Sequence, residues 1–207
     1  MVVLFDFDGT IADSYPVFLK CMNHLSKEFG YERMEDSVQL RRKGMGRIIS
    51  EQMKLPRSVW RSYADRLREE IKHRFHEIPL FPSVKAVIQA LVPAHKIGIV
   101  STNSQTIIRN TLEKEGLAVD FLLTDIGLGQ KAEILMKVID ERIRDGAQLV
   151  YVGDEIRDIE ACQQVGVKVI AVTWGFEPRE TLEQAHPDYL IDDPSALLSL
   201  LIRDQPI

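Results

Sequence analysis

The sequence predicts an α/β protein: a parallel sheet with helices on both faces and a block of helices inserted after the first strand. Three observations carry that expectation. Short, near-continuous apolar runs recur at residues 2–5, 97–100, 121–124, 149–152 and 167–172, as strands buried on both faces require. Between them lie stretches whose apolar residues return every three or four positions, the period of a helix packed on a sheet. Residues 14–81 contain no strand pattern at all.

Taken in order, the first run is Val2-Val3-Leu4-Phe5, which leads directly into Asp6-Phe7-Asp8-Gly9-Thr10. Val17, Phe18, Cys21, Met22, Leu25 and Phe29 then fall on one helical stripe, with Gly30 placed to end that helix. A weaker helical pattern at 38–53 is broken at Gly44 and Gly46, where a loop is expected. Pro56 opens a longer helix with Trp60, Tyr63, Leu67, Ile71 and Phe75 on its inward stripe. From Pro82 the order is helix 82–91, strand 97–100, a helix through Ile107, Ile108 and Leu112 that Gly116 stops, and strand 121–124. A helix from Lys131, strand 149–152, helix 158–165, strand 167–172 and a short strand at 189–191 complete the series. Residues 1–13 with 82–207 are thus expected to form the sheet-bearing core, and residues 14–81 the helical insertion.

Bulk composition narrows the function. With 207 residues, 45% of them hydrophobic, the chain can bury one core and a small second one. The net charge of −5 and the lack of a basic stripe argue against a nucleic-acid partner, and Arg41-Arg42-Lys43 reads as a solvated helix face. No apolar stretch approaches the ~20 residues of a membrane span, and no leader precedes the first strand, so a cytoplasmic location is expected. Cys21 and Cys162 read as small core residues, and the five histidines show no metal-type spacing.

In open parallel sheets ligands bind beyond the carboxyl ends of the strands. The residues found there are Asp6, Asp8 and Thr10, then Ser101-Thr102-Asn103, then Gly153-Asp154-Glu155 with Asp158; Lys131 opens a helix of its own. Residues i and i+2 of an extended segment share a side, which sets Asp6 beside Asp8 and turns Phe7 away. Phosphate-ester cleavage calls for this collection, because its transition state spreads negative charge over oxygens and is stabilised by position and electrostatics. Asp6 is the candidate nucleophile and Asp8 the acid/base, with Thr10 expected to orient it. A carboxylate facing a phosphate needs a hard cation, and Mg²⁺ suits Asp6, Asp154 and Asp158. Lys131 neutralises further charge, and Ser101 with the N–H groups of its helix holds a phosphoryl oxygen. Asp158 has three readings: metal ligand, partner of Lys131 or Asp154, or helix cap. Glu155 and Asp13 read as solvated or locally bonded. Arg47, in the loop with Lys43 and Met45, is a candidate for a second anion of the substrate, set against an ordinary surface charge.

Together, Asp6-Phe7-Asp8-Gly9-Thr10, Ser101-Thr102-Asn103, Lys131, and Gly153-Asp154 with Asp158 resemble the four-part pattern of the haloacid dehalogenase superfamily, over essentially the whole chain. The resemblance implies a Rossmann-like core and a covalent role for Asp6. It also implies acid/base work by Asp8 with its main-chain carbonyl on Mg²⁺, phosphate contacts from Ser101 and Lys131, and metal ligation by Asp154. The insertion is similar to the α-helical cap of the phosphoglycolate phosphatase and β-phosphoglucomutase branch, as is Trp174-Gly175-Phe176. Two positions depart from the pattern: Thr102 offers a second hydroxyl beside Ser101, and Ala132 follows Lys131 where Pro is often found. The expectation is a Mg²⁺-dependent phosphatase for a small phosphorylated metabolite of the phosphoglycolate kind, monomeric or homodimeric. A phosphomutase is the enzymatic rival, while Asp8 speaks against dehalogenation. A phospho-accepting signalling module or a non-catalytic binding protein is the alternative of another class; the D-x-D spacing, Lys131 preceding Gly-Asp, and the insertion disfavour the signalling module.

Overall fold

Four consecutive apolar residues make Val2–Phe5 (β1) a strand that can be covered on both faces, and all four are buried. The computed structural model describes residues 1–37, 40, 48–127, 129–143 and 147–202. In it β1 pairs in parallel with Lys96–Val100 (β2) on one side and Leu149–Gly153 (β4) on the other. Phe121–Leu123 (β3) extends the sheet beyond β2, and Lys168–Val172 (β5) and Tyr189–Ile191 (β6) extend it beyond β4. The order is β3-β2-β1-β4-β5-β6, with every pairing parallel. After β3 the chain therefore crosses back over β1 to reach β4. That reversal puts the topological switch point at the carboxyl ends of β1 and β4.

Strand alternation sorts the helices into two layers. Val3 and Phe5 face a cluster completed by Val84–Leu91 (α3), Gln105–Glu115 (α4) and the C-terminal Ala196–Leu201 (α8). Val2 and Leu4 face the opposite cluster, built from Lys131–Arg142 (α5), Ile156–Val165 (α6) and Arg179–Gln184 (α7). Close approach within the sheet demands one glycine: a Cβ on Gly98 would lie 2.4 Å from the ring of Phe121.

Among the described residues between β1 and α3 the helical elements are as follows. Tyr15–Phe29 (α1) ends at Gly30, whose φ of 73° is the left-handed cap the sequence calls for. A π-helical turn at Ile48–Gln52 and a 3₁₀ turn at Arg57–Val59 precede Trp60–Arg74 (α2), and a second 3₁₀ turn at Phe75–Glu77 leads out. α1 has two apolar stripes. Val17 and Cys21 join the sheet cluster, whereas Tyr15, Leu19, Met22 and Leu25 join a separate one with Met34, Met53, Tyr63 and Phe176. Residues of the 14–81 segment thus share a small second cluster with Phe176, while α1 and Ile71 of α2 also reach the sheet cluster.

Two expectations need adjustment. Trp60 does not lie on the buried stripe. It begins α2, is 43% exposed, and folds back over the preceding turn, its indole N–H donating to the Leu55 carbonyl at 2.9 Å. Helix α6 starts at Ile156, two residues before Asp158, because Asp158 reaches back to accept the N–H of Glu155 at 3.2 Å. Most of the 38–53 segment, including Gly44 and Gly46, lies outside the described residues. Cys21 and Cys162 are buried free thiols, and among the described residues no helix is long and apolar enough to cross a membrane.

Candidate active site

Asp6 directly follows β1 and continues its pairing with β4 through an N–H donated to the Val152 carbonyl at 2.8 Å. Its side chain is buried, one oxygen accepting the Phe7 N–H at 2.7 Å and the other accepting Lys131 Nζ at 2.6 Å. Lys131 is brought there as the first residue of α5 and also donates to Asp158. Asp158 is fully buried and is further approached by the Tyr151 hydroxyl at 3.5 Å. Of its three readings, the structure shows it bonded to Lys131 and to the first turn of α6. Burial pushes the Asp6 carboxyl up to about 6, against the opposing pull of Lys131. For Lys131 burial acts downward, but Asp158 and Asp6 outweigh it and hold the ammonium above its ordinary range. Lys131 is therefore a fixed cation gripped by two carboxylates.

Asp8 faces the loop after β2, where its Oδ2 accepts Asn103 Nδ2 at 3.0 Å. Burial raises its carboxyl, while the neighbouring Ser14 hydroxyl and the Asn103 amide favour the anion. Ser101 is buried at the end of β2, its Oγ accepting the Asn103 N–H at 3.1 Å. Thr102 instead lines a cavity of about 110 Å³ with Lys131 and Arg157.

Thr10 corrects the sequence reading. Its hydroxyl donates to Asp154 Oδ1 at 2.7 Å, where the D-x-D-G-T spacing had suggested Asp8 as its partner. The turn at Gly9 brings this about: its φ is 78°, and a Cβ there would come 2.1 Å from Asp154 Oδ2. The other flank of Asp154 is closed by the loop after β5, with the Phe176 N–H donating to Oδ2 at 2.8 Å and Gly175 again leaving no room for a Cβ. Asp154 is thus fully buried and held by two hydrogen bonds, and among the described residues no Lys, Arg or His pairs with it. Burial, followed by the charges of Glu155, Asp6 and Asp158, pushes its carboxyl well above the usual range.

Carboxylate oxygens of Asp6, Glu155 and Asp158 lie within 4.8 Å of one another. Glu155 is the member that sequence reasoning missed. Its side chain is only 14% exposed, it is bonded to Arg157, and burial raises its carboxyl to about 7. Asp154 stands beside this triad without belonging to it. Counting Asp8, five acidic groups meet two cations, Lys131 and Arg157, at this edge of the sheet. Such an excess of buried carboxylate is what an all-oxygen site for a hard divalent cation looks like before the cation is counted. Arg47, Lys43 and Met45 lie outside the described residues.

Known proteins share this architecture. Residues 3–172 match the family model described as haloacid dehalogenase-like hydrolase. A phosphoglycolate phosphatase of Synechococcus elongatus is 34% identical over 203 residues, spanning 95% of this chain and 94% of its own. A pyrophosphatase, PpaX, of Listeria monocytogenes is 28% identical, over 98% of this chain and 96% of its own. Among solved structures, a haloacid dehalogenase-like family hydrolase from Streptococcus pneumoniae superposes with a TM-score of 0.81 at 20% identity, covering 96% of this chain and 97% of that one. With the six-stranded parallel sheet and the strand-end residues in place, the chain belongs to the haloacid dehalogenase-like hydrolases.

Proposed function

We propose that this hydrolase is a Mg²⁺-dependent phosphatase acting on a small phosphomonoester, with Asp6 as the nucleophile that is transiently phosphorylated. The observation that carries the reading is the buried Asp6–Lys131–Asp158 chain at the switch point, set beside an uncompensated Asp154. Lys131 works against the upward push of burial, and the Lys131 and Phe7 donors favour the Asp6 anion. Its bond to Lys131 leaves the oxygen on the Phe7 side to attack phosphorus in line. As the phosphoryl group moves, Lys131 is already placed to take up the charge on its oxygens. Ser101 Oγ accepts a hydrogen bond from the loop, which leaves its own proton to donate to the phosphate.

Asp8, raised by burial, protonates the leaving oxygen and then draws a proton from the water that hydrolyses the acyl phosphate. Asn103 fixes its orientation. Asp6, the main-chain carbonyl of Asp8, Asp154 and Glu155 are the groups that would hold Mg²⁺, with Asp158 committed to Lys131. When bound, the ion supplies the positive charge that offsets carboxylate and phosphate together. The helical segment 14–81 would act as the cap that shields this edge from bulk water, and a cytoplasmic metabolite of the phosphoglycolate kind fits the named relative.

A panel of phosphoglycolate, sugar phosphates and pyrophosphate, assayed for phosphate release with Mg²⁺ and with EDTA, tests the proposal. Mg²⁺-dependent turnover of at least one phosphomonoester is expected. Turnover that survives EDTA, or none across the panel, would defeat it.

A further inference from the structure

We propose that Phe176 is a positioning residue that ties the helical insertion to Asp154, so that the packing of the insertion sets how tightly the site holds its divalent cation. This rests on the proposed Mg²⁺ site. Phe176 serves two regions at once. Its backbone N–H donates to Asp154 Oδ2 at 2.8 Å, whereas its ring is buried in the cluster it shares with the 14–81 segment. There it meets the rings of Phe18 and Tyr15 at centroid separations of 5.8 and 6.2 Å.

The rest of the loop is built to transmit rather than absorb a displacement. A Cβ on Gly175 would sit 2.2 Å from Asp154 Oδ2, so the backbone lies directly against the carboxylate. Trp174 donates its indole N–H to the Thr10 carbonyl at 3.1 Å, and Thr10 in turn holds Asp154 Oδ1. The Trp174 ring packs edge-on to Phe81 at 6.5 Å, and the Phe81 N–H donates to Ile11. Asp154 is therefore gripped on both oxygens by groups that lead back to one three-residue loop, and the ring at the end of that loop is seated on α1. Shifting α1 moves the Phe176 ring, and the backbone nitrogen three bonds away moves with it.

Groups that orient a metal ligand typically change affinity by about 10–100-fold when altered. The test is calorimetric titration of the metal-free protein with Mg²⁺, with thermal melts alongside, for wild type, Phe176→Leu, Phe176→Ala and the control Met53→Ala. Met53 shares the cluster of Phe176 and accepts the Tyr63 hydroxyl on its sulfur, but among the described residues it has no hydrogen bond to Asp154 or to residues 174–176. We expect Mg²⁺ affinity to fall about tenfold in Phe176→Ala and by a smaller factor in Phe176→Leu, while Met53→Ala loses thermal stability and stays within about twofold of wild type in affinity. Should Phe176→Ala not fold, the lowered affinity of Phe176→Leu against Met53→Ala carries the test. Wild-type affinity in the Phe176 variants, or an equal loss in Met53→Ala, would overturn the coupling and leave the phosphatase reading intact. Failure of the wild type to bind Mg²⁺ would overturn both.

Discussion

Asp154, directly after β4, and Asp158, in the first turn of α6, are four residues apart, both fully buried, and live in opposite electrostatic surroundings. Around Asp158 the charges are matched: Lys131 bridges it to Asp6, and the first turn of α6 donates to it. Around Asp154 they are not, since Thr10 and Phe176 offer neutral hydrogen bonds and its charged neighbours are acids. A buried carboxylate in the first setting organises a catalytic cation. One in the second is destabilised unless a cation lies beside it, so on the proposed reading Asp158 shapes the site and Asp154 is a ligand of Mg²⁺.

The largest effect should come from removing the group both regions serve. Asp6→Asn should lower phosphatase turnover by about 10⁴-fold or more while the fold persists, as removal of a nucleophile does; steady-state kinetics with a circular-dichroism spectrum will show it. Lys131→Met breaks the matched region, leaving Asp6 and Asp158 facing each other. A loss of roughly 3–5 kcal/mol in urea unfolding is expected, with turnover down about 10²–10³-fold.

The sharpest contrast is of sign. In metal-free protein Asp154→Asn should raise the melting temperature and Asp158→Asn should lower it, and Mg²⁺ should stabilise the second variant but not the first. Equal shifts in the same direction would dissolve the distinction between the two aspartates.

A smaller effect follows from titration. Asp6 is raised from 3.8 to about 6 and Glu155 from 4.5 to about 7, both mainly by burial. Between those limits the folded protein binds more protons than the unfolded chain, so metal-free stability should fall as pH rises from about 4 to 7. Saturating Mg²⁺ should flatten that slope in melts recorded across the range.

Much of the fold was legible because every strand is a short apolar run, and strands buried on both faces announce themselves without periodicity. β1 and β6 sit where those runs place them, and the other strands differ by a residue at one end. The convergence of Asp6, Lys131 and Asp158 was legible too, since each stands at a strand end or a helix start that parallel topology brings to one edge. What escaped was which side chain turns to which. Thr10 reaches Asp154 because of the positive φ at Gly9, a backbone feature with no bearing on residue spacing. Glu155 reads as solvated or locally bonded, yet it is folded inward by burial and Arg157. Trp60 has the period of the buried stripe but begins its helix, beyond the reach of the packed face.

The central claim is covalent: phosphorus bonds to Asp6. Incubating Asp8→Asn, impaired in the second step, with a phosphate ester of a good leaving group, then quenching with borohydride, converts any aspartyl-phosphate to homoserine for peptide mass spectrometry. Homoserine at position 6, formed with the burst of leaving group, is the predicted result. A burst accompanied by an unmodified Asp6 would contradict it.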